Sequence, residues 1–334
     1  MSPIATSTLV EETPVAPLPT IDYASLEAKD LEETKALLDA SKTHGFFYLN
    51  LKNVGTILDD WQKVLQFMDA YFSQDITTKM KDDRQSDTYG YEPSGTSAGG
   101  VRGQSDFYET LKIARSEMLE KSPFLPQGAK DNLELFDRFI RASDTITKTI
   151  LARLSDILNL TLGCRFEDVH RVGESSRTTL VLFRYPQQEA SDSGVGHNKH
   201  TDIGTLTLLF SEQWGLQVLS PETQKWNFIQ PKADHAVINV GDSLRFLSGH
   251  QLNSCVHRVL PNTKSGRQEE HRYSIAYFLR PEDAAVYTDS KGRSIRARDW
   301  HDEKYNVFRQ AHDESFKDSI LTGGMERDDL LVET

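Results

Sequence analysis

The sequence has little of what marks several large classes of protein. Its two cysteines, Cys164 and Cys255, cannot build a disulfide framework, and its 334 residues contain no Cys-x-x-Cys pair. No apolar run approaches the roughly 20 residues that a membrane span needs. Basic residues number 38 against 50 acidic ones, which gives a net charge of −12, and no basic stripe is present. We therefore expect no nucleic-acid or membrane partner, and a reducing, cytoplasmic location.

The two ends of the chain differ in composition from the middle. Residues 1–17 are rich in Ser, Thr, Pro and Glu and lack a basic and an apolar region, so we expect a flexible lead-in and no signal peptide. An acidic tail is expected over 313–334. A single domain over 18–312 can bury a sizeable core.

Periodicity divides this domain into three parts. Apolar residues recur at helical spacing over 26–42, 59–72 and 132–160, and a further helix is expected over 297–312. The Gly- and Ser-rich stretch 94–103 is expected to be a loop. Short strands follow one another from Thr178 to Phe278. The pattern predicts a mainly β protein with helices, in which 18–175 is mostly helical, 176–282 forms a double-stranded β-helix (jelly roll), and 283–312 is again helical.

A His-x-Asp pair lies in the strand-like stretch 197–210. Side chains at i and i+2 of an extended strand leave the same side of the backbone, so His200 and Asp202 can share one metal ion. His257 is a third candidate ligand. Two imidazoles and one carboxylate with open positions beside them form the arrangement of non-haem iron(II) oxygenases. His197 has the wrong strand parity relative to Asp202 and is predicted not to be a ligand.

A second pair, Arg272 and Ser274, shares one face of a later strand by the same rule. A guanidinium presents a planar fork of donors to both oxygens of a carboxylate, and burial makes an unpaired guanidinium costly. This pair predicts a clamp for a carboxylate ligand.

Taken together, these motifs resemble the 2-oxoglutarate-dependent iron(II) dioxygenases, in the branch similar to isopenicillin N synthase. The likeness covers roughly residues 17 to 310. Further segments match in the family's order, namely Leu18-Pro19-Thr20-Ile21-Asp22, Thr43 to Leu49, Thr88-Tyr89-Gly90-Tyr91, Ile238-Asn239-Val240-Gly241-Asp242 and Arg280-Pro281.

The resemblance implies a set of roles. His200, Asp202 and His257 would hold Fe(II), and Arg272 with Ser274 would hold the distal carboxylate of 2-oxoglutarate. Tyr185 matches the family tyrosine that hydrogen-bonds this co-substrate, although Phe183 stands where many plant members carry Asn. Oxidative decarboxylation of 2-oxoglutarate by O2 would be coupled to hydroxylation, desaturation or oxidative rearrangement of a substrate.

The substrate is expected to be a small and fairly apolar natural-product intermediate. The walls of the substrate-binding pocket would come from the 94–103 loop, the long helix and the C-terminal helix. Three alternatives stay open: an oxidase like isopenicillin N synthase that consumes no 2-oxoglutarate, a catalytically silent binding module, and a zinc hydrolase. The last lacks a general-base glutamate beside the ligands. Nothing in the sequence reports on oligomeric state.

Overall fold

The computed structural model describes residues 14–97, 99, 104–189, 196–263 and 266–309. Most of the predicted N-terminal lead-in, residues 98 and 100–103 of the predicted loop, and the whole acidic tail lie outside the described residues.

Two β-sheets face each other at the centre of the protein. The strands are β1 (Thr20–Asp22), β2 (Phe46–Asn50), β3 (Gly90–Glu92), β4 (Glu109–Ala114), β5 (Thr179–Tyr185), β6 (His197–His200), β7 (Leu206–Phe210), β8 (Leu216–Leu219), β9 (Trp226–Phe228), β10 (His235–Val240), β11 (His257–Val259), β12 (Arg272–Leu279), β13 (Val286–Thr288) and β14 (Ser294–Arg296). An eight-stranded sheet has the order β1-β2-β10-β7-β12-β5-β4-β3, and a four-stranded sheet has the order β6-β11-β8-β9. These two sheets form the predicted jelly roll, to which strands before residue 175 also contribute.

Most of the helices of the described chain pack on the outer face of the large sheet, whereas the last one packs beside β13 and β14 and reaches the space between the two sheets. The helices are α1 (Tyr23–Glu27), α2 (Leu31–Thr43), α3 (Ile57–Phe72), α4 (Ile76–Lys79), α5 (Arg115–Leu119), α6 (Gln127–Asp131), α7 (Leu133–Ile157), α8 (Asp242–Leu247) and α9 (Ala297–Phe308). The predicted helix over 26–42 begins only at Leu31, because the Asp30 carboxylate caps the Glu33 amide at 2.8 Å. The other three predicted helices agree with α3, α7 and α9 to within a few residues, apart from 310–312, which are outside the described residues.

The strand alternation sends side chains of the large sheet into two separate cores. Its outer face packs against the helices, where Phe136, Phe139 and Ile140 of α7 are fully buried. Each such side chain contributes about 1.5–3 kcal/mol by leaving water. Its inner face looks toward the small sheet and carries Val181 and Ala276, which are opposite one another in the β5–β12 register. The helical layer thus supports the sheet from outside, and the space between the sheets remains for a site.

One strand prediction was wrong at the position that matters most. The expected continuous strand over 197–210 is two strands, since β6 ends at His200 and β7 begins at Leu206. β6 belongs to the small sheet and β7 to the large one. Asp202 therefore lies in an irregular segment that crosses between the sheets, and the i, i+2 rule does not explain its position beside His200.

Candidate metal centre and active-site cavity

The side chains of His200, Asp202 and His257 converge between the two sheets. The Nε2 atom of His200 lies 3.5 Å from Oδ1 of Asp202, and the Nε2 atom of His257 lies 3.6 Å from the same oxygen. Two donor atoms that are each about 2.1 Å from one ion lie about 3.0 Å apart at a right angle and about 3.4 Å apart at the tetrahedral angle. The three side chains can therefore contact one metal ion after small movements.

Backbone carbonyl groups turn both imidazoles toward this point. Nδ1 of His200 donates to the Asn198 carbonyl at 2.7 Å, and Nδ1 of His257 donates to the Cys255 carbonyl at 3.2 Å. His200 and His257 are also opposite one another in the antiparallel β6–β11 pair. Because each Nδ1 carries the proton, each Nε2 presents its lone pair, which is the atom a metal needs.

Asp202 is held through its second oxygen. Asn239 of β10 donates its side-chain amide to Oδ2 at 2.6 Å, and the hydroxyl of Thr207 of β7 donates to the same atom. Oδ1 is left facing the histidines. Since both donors come from the large sheet, they fix the carboxylate of an irregular segment against a rigid surface.

Burial and the neighbouring side chains together set the protonation states of Asp202 and His257. Burial, reinforced by the neighbouring His200, lowers the pKa of His257 to about 4. Burial raises the pKa of Asp202, but His257 and His200 outweigh that effect and hold the pKa below its usual range. A carboxylate then faces a neutral His257 imidazole at neutral pH, which are the forms that bind divalent metal ions.

His197 stands beside the cluster but outside it. Its ring stacks on His200 with the centroids 4.5 Å apart and on Tyr108 at the same separation. Burial lowers its pKa far below the usual value, so it is neutral. The group of side chains whose donor atoms converge contains His200, Asp202 and His257 and does not contain His197. Strand parity does not explain this result, because Asp202 lies outside β6.

The predicted clamp residues also come together. Arg272 is 1% exposed and Ser274 is 3% exposed, and the two side chains are 3.4 Å apart on the inner face of β12. The Arg272 Nε donates to the Trp214 carbonyl at 2.8 Å, and Tyr185, its cross-strand neighbour, lies under the guanidinium at 4.9 Å. Among the residues that the structure describes, no carboxylate forms an ion pair with Arg272. A buried guanidinium of this kind can bind an anionic ligand.

Three supporting residues were not identified from the sequence. Asn239 and Asp242 belong to the segment 238–242 that matches the family, but the sequence assigned no role to either side chain. Lys304 of α9 is 1% exposed and donates to the Thr201 carbonyl at 2.7 Å, to its hydroxyl at 2.6 Å and to Asp242. No motif surrounds Lys304, so the sequence offered no signal for it.

A cavity of about 100 Å³, partly open to solvent, adjoins the cluster. Its wall combines apolar and ionised side chains: Tyr108, Val181, Phe183, Ile203, Phe278, Tyr305 and Phe308, with Asp87, Glu92, Lys112, Arg280 and Lys304. The C-terminal helix and Ser97 of the predicted loop contribute to this wall as expected. Within the described ranges no residue of α7 does, because that helix packs on the opposite face of the sheet.

A second group of potential metal ligands is an ion-pair cluster. Asp87, His301 and Asp302 bring their donor atoms together. Arg177 already pairs with both carboxylates, at 3.1 Å from Asp87 and 3.2 Å from Asp302. The guanidinium supplies the positive charge that a metal would supply, so this group does not form a second metal centre.

Sequence profiles of known families match both parts of the chain. Residues 176–281 match the 2OG-Fe(II) oxygenase superfamily, and residues 18–132 match the N-terminal region of the non-haem dioxygenases described as acting in morphine synthesis. In the part of the chain that the structure covers, no helix has both the length and the apolar character to cross a membrane.

Two fungal relatives match nearly all of this chain. The oxidoreductase vrtI of Penicillium aethiopicum is 50% identical, over 96% of this chain and 78% of its own length. The 2-oxoglutarate-dependent dioxygenase frbH of Dothideomycetidae sp. (strain 11243) is 48% identical, over 95% of this chain and 98% of its own length. Among solved structures, the dioxygenase for auxin oxidation from rice has a TM-score of 0.67 at 21% identity, over 88% of this chain and 97% of its own. At that identity the last likeness concerns the fold alone.

Proposed function

The chain belongs to the 2OG-Fe(II) oxygenase superfamily, whose members require Fe(II) and 2-oxoglutarate, and on that premise we propose how its own side chains divide the work. His200, Asp202 and His257 hold the iron. Arg272 and Ser274 bind the distal carboxylate of 2-oxoglutarate, and Tyr185 lines that binding site. The protein is a 2-oxoglutarate-dependent dioxygenase.

The convergence of three donors on one point carries the proposal for the metal. Both imidazoles direct Nε2 toward Oδ1 of Asp202, while their Nδ1 atoms are engaged with backbone carbonyls. Iron(II), when bound with 2-oxoglutarate and dioxygen, supplies the chemistry that oxidises a C–H bond of the substrate. His200, Asp202 and His257 would hold the ion, and 2-oxoglutarate and dioxygen would bind to it beside these side chains.

Arg272 supports the proposal for the co-substrate. Its charge is buried and its Nε donates to a carbonyl. Among the described residues its other donors contact uncharged groups, including the hydroxyls of Ser274 and Ser211 at 3.4 and 3.3 Å. Neutral hydroxyls do not compensate a buried charge as a carboxylate does. 2-Oxoglutarate would bring that carboxylate, and the hydroxyls would remain as additional donors.

We further propose a small organic molecule of natural-product type as the substrate, in keeping with the fungal dioxygenase relatives. Hydroxylation, desaturation and oxidative rearrangement are the outcomes open to such a reaction. The residues 18–312 are proposed to act as one domain with its helical N-terminal part, its jelly-roll core and its C-terminal helix.

A substrate panel with iron-loaded protein tests the function. Succinate release from 2-oxoglutarate is measured with and without each candidate, under air and under nitrogen. Stimulated release that depends on both iron and dioxygen is expected. Oxidation of a candidate without consumption of 2-oxoglutarate would instead favour an oxidase like isopenicillin N synthase, and the absence of any iron-dependent oxygen uptake would favour a silent binding module.

A further inference from the structure

A second arginine, Arg280, follows the same face of strand β12 on which Arg272 lies. Residues 272, 274, 276, 278 and 280 share one side of the strand by its period of two, and Arg280 lines the cavity beside the candidate metal centre. Eight residues of extended chain span roughly 27 Å, which is far longer than 2-oxoglutarate. The co-substrate bound at Arg272 therefore cannot also compensate Arg280.

The Arg280 guanidinium is fixed in position without a counter-ion. Its Nη1 donates to the Arg177 carbonyl, its plane lies over the Phe278 ring at 5.2 Å, and its Nε is buried with no hydrogen-bond acceptor. Across the described residues no carboxylate lies within ion-pair distance of it. Burial lowers the pKa of Arg280 to about 10, so the group stays charged at neutral pH.

The other ionised side chains of the cavity wall already have partners. Asp87 pairs with Arg177 at 3.1 Å, Glu92 pairs with Lys112 and with Arg309, and Lys304 pairs with Asp242. Asp202, which also lines this wall, accepts hydrogen bonds from Thr207 and Asn239 and is a candidate metal ligand. Asp87 and Asp202 favour the charged form of Arg280 and raise its pKa, but among the described residues neither forms an ion pair with it. A charge without an ion-pair partner is costly where it is shielded from water, and that cost is recovered when a ligand supplies the opposite charge.

A second, uncharged group points to a polar ligand as well. Thr110 of β4 is 1% exposed and lines the same cavity, and in the described part of the chain its hydroxyl has no hydrogen-bond partner. Buried hydroxyls are normally hydrogen-bonded, and those that are not call for an explanation such as a ligand. A substrate with polar atoms would satisfy this hydroxyl, whereas a purely apolar one would leave it unpaired.

We propose that the substrate carries a carboxylate and that Arg280 binds it, which orients the rest of the molecule toward the metal. This inference rests on the proposed function, because it identifies the chemical class of that enzyme's substrate. It replaces the sequence-based expectation of a fairly apolar substrate. A carboxylate is favoured over a phosphate monoester because Arg280 brings one positive charge without an ion-pair partner, which a singly charged group neutralises and a doubly charged group exceeds.

Equilibrium binding to protein loaded with iron(II) and 2-oxoglutarate under nitrogen tests the proposal. The probes are a fixed set of small carboxylates, with and without an α-amino group, together with the matching primary amides and phosphate monoesters. Binding is followed by ligand-observed NMR. The set is repeated with Arg280→Gln and Arg280→Lys, and with Arg296→Gln as control, because Arg296 is an exposed arginine whose partner is Asp299 at 2.7 Å.

Acids in the set are expected to bind at least about thirtyfold more tightly than their amides, since truncating one partner of a buried charge pair costs about 2–5 kcal/mol. Arg280→Gln should remove that preference, Arg280→Lys should keep part of it, and Arg296→Gln should keep all of it. Four results would each overturn the proposal. They are equal binding of acids and amides, acid binding that is unchanged in Arg280→Gln, tighter binding of the phosphate monoesters than of the acids, and no acid binding in the millimolar range.

Two controls separate this inference from the proposed function. The acid-against-amide comparison uses the unaltered protein, so it stands even where Arg280→Gln fails to fold. Iron content and 2-oxoglutarate consumption without substrate are measured in the same preparations. If the unaltered protein neither binds iron nor consumes 2-oxoglutarate, the proposed function is wrong. If it does both but shows no preference for acids over amides, only the role of Arg280 is wrong.

Discussion

Removing the Lys304 ammonium group by Lys304→Met should destabilise the protein strongly. Lys304 is 1% exposed and Asp242 is fully buried, so methionine would fill the space and leave Asp242 as a buried charge. Breaking a buried ion pair in this way costs about 3–5 kcal/mol. Arg245 Nε lies 3.7 Å from the other Asp242 oxygen and keeps part of the charge compensated. We therefore expect the lower end, about 3 kcal/mol, out of a total stability of about 5–15 kcal/mol.

Urea unfolding of the metal-free protein, followed by circular dichroism, measures this loss. Lys35→Met is the matched control, because Lys35 and Glu32 form a pair of 2.7 Å that is 52% and 81% exposed and should be worth less than about 1 kcal/mol. The double variant Lys304→Met with Asp242→Asn removes both charges and should cost clearly less than the sum of the single changes. A loss below about 1 kcal/mol in Lys304→Met, or simple additivity in the double variant, would refute the reasoning.

Three further changes probe the metal and co-substrate sites. His200→Ala should abolish iron retention, whereas Arg272→Met should keep the iron and raise the KM for 2-oxoglutarate at least about tenfold. Metal analysis measures the iron content, and an equal loss of iron in both variants would contradict the assigned roles. Gly215→Ala should raise the same KM, because a Cβ there would lie 2.9 Å from Nε of Arg272, whereas Gly292→Ala, also at positive φ but in open space, should not. Asn239→Ala removes a hydrogen bond to Asp202 and should weaken iron binding about 10- to 100-fold in a metal titration, and unchanged affinity would exclude this supporting role.

Periodicity in the sequence was sufficient for the elements that pack on one another in long, regular stretches. α3 and α7 follow from their apolar spacing, and β5 follows from an apolar run that Pro186 ends. The boundary at Leu31 was missed because local capping by Asp30 outweighed the apolar pattern. Strands β2 and β4 were less visible, since they are buried on both faces and do not alternate in hydrophobicity.

The candidate site divides in the same way. His200, Asp202, His257, Arg272 and Ser274 were found because each belongs to a short motif. Arg280 and Lys304 were not identified as cavity residues, since their positions depend on how β12 and α9 approach the metal site in three dimensions. Burial and the lack of a counter-ion are properties of the fold, so the charge of the cavity wall could not be predicted from composition.

The Asn-x-Gly-Asp turn explains how an irregular segment can hold a metal ligand in place. Asn239 holds the Asp202 carboxylate, and the Asp242 amide donates to the Asp202 carbonyl at 2.8 Å. A Cβ at Gly241 would lie 2.3 Å from the Gly204 carbonyl oxygen and 3.1 Å from that of Asp202, so only glycine allows this approach. The Asp242 carboxylate, in turn, accepts from Thr201 and Lys304. The turn thus contacts the segment between the two sheets on both sides of Asp202, which makes the position of the carboxylate depend on the turn and on α9 as much as on the strands.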